Sequence, residues 1–296
     1  MAKIAVGLEQ ALRQRELAGE PGRAVGDVVA EGDGWRVADV VCTSGPGDRP
    51  FEELHGRVSI AIVMAGTFQY RTAAGGALLA PGSFLLGTPG QTFECAHSHG
   101  AGDRSLSFQF TPELFERLVG AAPRFRAARL PPLRDSAALV ARACAMLEGH
   151  LTMSWEELAI EAAGCALRLA NDVDPTLLDA QPGAVARVTR ALRAIERAPE
   201  RDVSLQQLAA EARLSPYHFL RTFARVAGIT PHQFALRARL REAALRCTAD
   251  DAPIIDIALD SGFGDVSNFN RSFRAEFGVS PRAWRRKASP GTATAR

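Results

Sequence analysis

Nowhere in this chain of 296 residues is there an apolar run long enough to span a bilayer. Its first residues, MAKIAVGLEQALRQREL, carry charge throughout and lack the apolar core of a secretion signal. These two absences give the expectation of a cytoplasmic protein with no membrane partner. Cysteine is scarce. Cys42, Cys95, Cys144, Cys165 and Cys247 are odd in number and widely scattered, which suits reduced thiols better than a disulfide framework. Net charge is nearly absent at +2, but the balance is uneven. Residues 184–287 hold 18 Lys and Arg against 11 Asp and Glu, while the remainder is acidic. A basic segment in an otherwise acidic chain is an electrostatic footprint for phosphate, and it argues against coating of nucleic acid by the whole chain. Apolar residues make up 47% and charged residues 23%, enough apolar material for two cores.

The basic segment contains a repeat. Leu205–Phe234, LQQLAAEARLSPYHFLRTFARVAGITPHQF, and Ile254–Trp284, IIDIALDSGFGDVSNFNRSFRAEFGVSPRAW, superpose on Phe219 and Phe269. Phe223 then meets Phe273, Gly228 meets Gly278, Pro231 meets Pro281 and Phe234 meets Trp284. Each block reads as a short helix, a tight turn, a second helix and a glycine stop. Ser204 with Gln207 has capping-box spacing, and Ser215-Pro216 is an N-cap followed by proline at the first helical position. Gly264 or Asp265 caps the corresponding helix of the second block, and Phe269, Phe273 and Phe277 form its buried ridge. Two short helices joined by a tight turn are the helix-turn-helix plan, whose second helix can enter a major groove. These blocks resemble the C-terminal DNA-binding domain of the AraC/XylS family of transcription regulators. The resemblance covers roughly the last third of the chain. One position departs from the family's pattern: Arg213 stands in the first turn where the family usually has glycine, as the second block has at Gly262.

Residues 28–110 change period. Short apolar or alternating runs, such as Val58–Val63, Ser83–Leu86 and Leu106–Phe110, are separated by turns at Ala65-Gly66, Gly75-Gly76, Pro81-Gly82 and Pro89-Gly90. Many short strands with regular turns mean a sandwich or barrel. Their order resembles the small cupin barrel that AraC-type regulators carry at the N-terminus. Helices are expected over residues 1–20, Pro112–Val119, Ser136–Glu148 and Ser154–Leu169. The last two either supply a dimer contact, as this region often does in the resembling family, or cover the open side of the barrel. The fold class is therefore α+β: a cupin-like barrel with flanking helices over residues 1–170, a linker over 171–183, an all-α tandem helix-turn-helix domain over 184–287, and a disordered tail over 288–296.

Side chains facing away from the phenylalanine ridges are the candidate base readers: Tyr217, Leu220, Arg221 and Arg225 in the first block, and Val266, Ser267, Asn268 and Arg271 in the second. Arginine can pair bidentately with guanine and asparagine with adenine, while leucine and valine pack on thymine methyls. For either Arg221 or Arg271 a phosphate contact, which positions without specifying, is the competing role. Arg237, Arg239 and Arg241 could form a solvated face, line a domain junction or touch phosphates. In the N-terminal part, Cys95, His97 and His99 alternate and would share one face of an extended segment. With His55, and more distantly Cys42, they form a candidate site for zinc or another transition metal. The competing reading is a core thiol beside two loop histidines. The His-x-His, Glu and later His of enzymatic cupins are absent, which lowers the enzyme reading. The resemblance implies a non-enzymatic regulator, more often an activator, that binds promoter DNA. Its candidate partners are a small-molecule effector, RNA polymerase and a second copy of the chain. The alternatives are a cupin metalloenzyme carrying a DNA-binding tether and a dimerising scaffold without an effector.

Overall fold

The computed structural model describes residues 3–73, 75–120, 124–172, 182–202 and 204–288. The expected linker core, 173–181, and the tail beyond residue 288 lie outside these residues. The residues on either side of that core, 171–172 and 182–183, are the ends of two helices described below.

The short runs of the N-terminal part form ten antiparallel strands among the described residues: β1 (Ala24–Gly32), β2 (Trp35–Cys42), β3 (Phe51–Leu54), β4 (Val58–Gly66), β5 (Phe68–Thr72), β6 (Gly75–Leu79), β7 (Phe84–Gly87), β8 (Thr92–Ala96), β9 (Asp103–Phe110) and β10 (Arg129–Leu130). They make two sheets, ordered β1-β2-β9-β4-β7-β10 and β3-β8-β5-β6. The architecture is the expected cupin-like one, with the refinement that the two sheets remain open at their edges. Strand β4 is buried along nearly its whole length because both its faces are covered. Ile60, Ile62 and Met64 pack under helices, while Ala61 and Val63, with Leu85 of β7, pack against Tyr70 and Leu79 of the smaller sheet. The helices on the outer face are α1 (Lys3–Ala18), α2 (Pro112–Val119), α3 (Arg134–Leu147) and α4 (Trp155–Asp172). The apolar stripes of α3 and α4 are buried within the one chain: Leu139, Ala143, Leu158, Ala162 and Leu169 belong to the same core as β4.

The C-terminal part is all helix: α5 (Pro182–Arg197), α6 (Leu205–Glu211), α7 (Pro216–Ala227), α8 (Pro231–Ala249), α9 (Ile254–Asp260), α10 (Val266–Phe277) and α11 (Pro281–Ala288). Capping does what the sequence requires. Ser204 and Gln207 exchange bonds in a capping box, Ser215 accepts from the His218 amide, and Asp265 accepts from the Asn268 amide. Gly228 and Gly278 end α7 and α10 at φ 80° and 75°. Each helix-turn-helix has its own core, and each core takes in a piece of the N-terminal domain. The first buries Phe219, Phe223 and Phe234 together with Leu78 and Ala80 from the end of β6. The second buries Phe269, Phe273 and Trp284 together with Ala141 of α3.

Helix α8 runs through both cores, and its three arginines settle the choice left open by the sequence. Arg237 donates to Glu276 at 3.1 Å and to the Pro132 carbonyl. Arg239 donates to the carbonyls of Pro199 and Arg201 at 2.6 and 2.8 Å, and Arg241 to Glu196 at 2.7 Å. Arg237 bonds across the junction with the N-terminal domain, whereas Arg239 and Arg241 bond α5 and the loop after it, within residues 184–287. A cavity of about 700 Å³ between α1, α5 and α8 is lined by Arg239 and Arg241, and the Arg241–Glu196 and Arg246–Asp260 pairs border it.

The two inter-helix turns follow the same backbone path. Arg213 and Gly262 donate to the carbonyls of Ala210 and Leu259, and the next residues, Leu214 and Phe263, to those of Ala209 and Ala258. Both turn residues have positive φ, 55° at Arg213 and 82° at Gly262. A Cβ on Gly262 would sit 2.3 Å from the Glu200 carbonyl oxygen, so glycine is required there for space as well as for φ. Arg213 is exposed, and only its backbone is strained. Arg213→Gly should therefore stabilise the chain by about 0.5–1 kcal/mol, and Gly262→Ala should destabilise it. Urea denaturation of the three proteins measures both, and an unchanged midpoint for Arg213→Gly would show that no strain is stored in this turn.

Candidate functional site

Two regions bring chemistry-bearing side chains together. The first is the pair of exposed helix faces on α7 and α10. The buried ridge of α7 is Phe219, Thr222, Phe223, Val226 and Ala227. Its opposite side carries Tyr217, 70% exposed, with exposed Arg221 and Arg225 and half-buried Leu220. The Arg221 guanidinium lies 5.7 Å from the centre of the Tyr217 ring, a cation–π contact that pre-orients it. On α10, Ser267, Asn268 and Arg271 are exposed and Val266 is half-buried. Arg271 donates to Asn268 Oδ1 at 3.2 Å, which holds the amide and the guanidinium side by side on the exposed face. All eight sequence-derived candidates lie on or beside these two faces, opposite the phenylalanine ridges. Exposed Arg282, Arg286 and Lys287 on α11 add charge, whereas Arg285 is engaged with the Cys247 and Ala252 carbonyls.

The second region is a cavity of about 360 Å³ between the two sheets. Strand β9 explains it. Leu106, Phe108 and Phe110 face the helices, and the alternate residues Asp103, Ser105, Ser107 and Gln109 line the cavity. A polar wall keeps the sandwich from closing into a dry core. His55, Cys95, His97 and Cys42 line the same space. The four residues expected from the sequence as a metal set do not gather. His55 bonds the Tyr70 hydroxyl at 2.8 Å and stacks on Phe93, and His99 sits half-buried on the loop after β8. Cys95 is buried on β8, where burial, followed by the nearby Asp103 carboxylate, pushes its thiol well up. His97 alone joins a cluster, with Cys42 and Asp103, whose donor atoms all lie within 4.8 Å of one another. Asp103 escaped the sequence reading, although the polar alternation of β9 begins with it and its register partner is Cys42.

Within the cluster, His97 Nε2 and Asp103 Oδ1 are 2.8 Å apart, and Asp103 Oδ2 accepts from the Ser105 hydroxyl at 3.1 Å. Burial disfavours the imidazolium, but the hydrogen bond to Asp103 and the adjacent Cys42 sulfur outweigh it and raise His97 to about 9. His55 shows burial acting alone, which lowers it to about 4. All five cysteines are free.

A helix-turn-helix domain model matches residues 208–287, and an AraC-like ligand binding domain model matches residues 41–162. The HTH-type transcriptional activator RhaS of Klebsiella pneumoniae is 33% identical over 97 residues, 33% of this chain and 35% of that protein. The transcriptional activator NphR of Rhodococcus is 35% identical over 104 residues, 34% of this chain and 30% of that protein. The uncharacterized HTH-type regulator YbfI of Bacillus subtilis is 27% identical over 205 residues, 64% of this chain and 70% of that protein. The chain spans about a third of the length of RhaS, of NphR and of other curated relatives it matches. The helix-turn-helix part is thus similar to the DNA-binding domains of these regulators, and the sandwich ahead of it in the same chain to AraC-like ligand binding domains. Among the described residues no helix is long and apolar enough to cross a membrane.

The His55 environment has a measurable consequence. In the unfolded chain His55 takes a proton near its ordinary 6.5, and in the folded chain only near 4. Its stabilising contribution is thus complete above pH 6.5 and is lost as pH falls through 4, to a total of about 3 kcal/mol. Melting temperatures across that range should fall less steeply for His55→Gln, which keeps a partner for Tyr70, than for the wild-type chain. Parallel curves would exclude His55 as the source.

Proposed function

We propose that the chain is a cytoplasmic, sequence-specific transcription regulator in which residues 184–287 bind promoter DNA through α7 and α10. In this reading the sandwich over residues 1–170 receives an effector in its cavity, and the regulatory output involves no catalysis. The observation that carries the proposal is the pair of exposed faces, unlike in chemistry, on α7 and α10, which both pack against α8 within the basic part of the chain. Tyr217, Leu220, Arg221 and Arg225 would read one segment of major groove, and Val266, Ser267, Asn268 and Arg271 the next. Because the two sets differ, a single chain would read an asymmetric site. RNA polymerase and a second copy of the chain are the protein partners of this reading. The exposed Val25 and Val28 of edge strand β1 offer the copy a surface. Within the sandwich, Cys42, His97 and Asp103 are the donors that would hold a transition metal.

Selection of bound sequences from a random DNA pool by the full-length protein tests the reading. It should return one asymmetric motif, with affinity falling steeply as salt rises. Arg271→Ala should cost about 1–3 kcal/mol and relax preference at one position, whereas Arg286→Ala should weaken all sequences alike. Equal affinity for every sequence at fixed salt would refute the proposal.

A further inference from the structure

The Cys42, His97 and Asp103 cluster joins both sheets of the sandwich. Cys42 ends β2 and Asp103 begins β9 directly across from it, while His97 follows β8 of the opposite sheet. The three residues are 3–5% exposed. Asp103 is steadied by Ser105, and Phe68 stacks beside the His97 ring with centroids 6.0 Å apart. The other ring nitrogen of His97, Nδ1, is buried and makes no hydrogen bond of ordinary geometry, with the Cys42 sulfur as the polar atom close to the ring. Burying an imidazole with one nitrogen unsatisfied is costly, and such an exception in a polar cluster points to a ligand. Sulfur, nitrogen and carboxylate donors together suit zinc-class cations and poorly suit magnesium or calcium. Three protein donors would leave a fourth coordination position for water or for a ligand in the cavity that the same residues line.

The segment that carries these donors also grips the DNA-binding domain. Arg193 of α5 donates to the carbonyls of Ala101 and Gly102 at 2.9 and 3.4 Å, and to the Thr67 hydroxyl at 3.0 Å. Gly100 lies so close that a Cβ there would meet the Arg193 guanidinium at 2.2 Å. Helix α5 shares its core with α7, through Val188, Leu192 and Phe223 among others. A change in the spacing of His97 and Asp103 therefore acts on the carbonyls that Arg193 holds, and through α5 on the first reading helix.

We propose that Cys42, His97 and Asp103 bind a zinc-class divalent cation, and that occupancy is transmitted to α7 through the Arg193 clasp. The second half of this proposal rests on the DNA-binding reading above; the first does not. The test uses full-length protein stripped with a chelator, with cobalt(II) and zinc as probes. Cobalt should bind at one ion per chain, with a thiolate charge-transfer absorption that zinc abolishes by competition. Cys42→Ser and His97→Gln should weaken uptake at least about tenfold, while Cys247→Ala, which alters a thiol in the DNA-binding domain, should leave it unchanged. Zinc should also raise the melting temperature of the wild-type chain, a readout that does not depend on any variant folding. No cobalt absorption and no zinc-induced shift, or uptake unaffected by Cys42→Ser, would overturn the site. For the coupling, zinc should change DNA affinity in wild-type protein but not in Arg193→Ala, which should still show the cobalt absorption. An equal zinc response in both, or none in either, would overturn the coupling and leave the DNA-binding reading intact. Absence of any sequence-specific DNA binding would instead remove that reading, with the cobalt result still deciding the site.

Discussion

The architecture depends on helix α8 being buried on several sides at once. Phe234 and Ala238 serve the first helix-turn-helix core, Leu240, Ala243 and Ala244 the second, and Leu245 the core beneath the β-sandwich. A helix in that position has few places for charge, yet it carries Arg237, Arg239 and Arg241. Each finds oxygens to bond: Glu276 and the Pro132 carbonyl, the Pro199 and Arg201 carbonyls, and Glu196. Removing a partner from such a buried charge costs far more than the pair itself contributes. The three arginines therefore fix the register of α8 against α5, α10 and the N-terminal domain. They also keep three cations away from solvent, so the charge available to DNA is carried by other side chains.

The sandwich follows a different physical logic. Its outer face is apolar and closed by helices, whereas its inner face presents the hydroxyls and carboxylate of β9 to a cavity. Water or a ligand can satisfy those groups; a tightly packed second sheet could not. The same alternation along a single strand thus gives both stability on one side and a binding space on the other. The sequence resemblance to a ligand-binding domain and the polar interior are two views of that arrangement.

Much of the helical part was readable because each helix carries its own boundary signals. Ser215-Pro216 starts α7 and Gly228 ends it, and Asp265 and Gly278 do the same for α10. The phenylalanines at four-residue spacing identify the buried side and, by exclusion, the exposed one. Helix α5 went unassigned, since Arg187, Arg190, Arg193 and Arg197 obscure the stripe of Val188, Leu192 and Ile195. Strand β3 was missed because Glu52 and Glu53 break any apolar alternation. The cluster in the cavity was only half legible. His97 lies in a noticeable Cys-x-His-x-His pattern, but its neighbours are set by strand register: Asp103 faces Cys42 across a ladder, a relation for which no local sequence signal exists. The three arginines of α8 were equally ambiguous, because an exposed and a buried arginine look alike until the oxygens around them are known.

The contact at Gly262 carries this rigidity to the second reading helix. The turn before α10 lies against the backbone of Glu200, in the loop that leads into the first helix-turn-helix, with no room even for a methyl group. With α8 already locked, the two reading helices have no joint between them. For DNA read by both, the separation of the two half-sites becomes as strict a requirement as their bases. One extra base pair would turn the second half-site by roughly 35° about the duplex axis, and the protein could follow only by bending the DNA or by releasing one of its two helices.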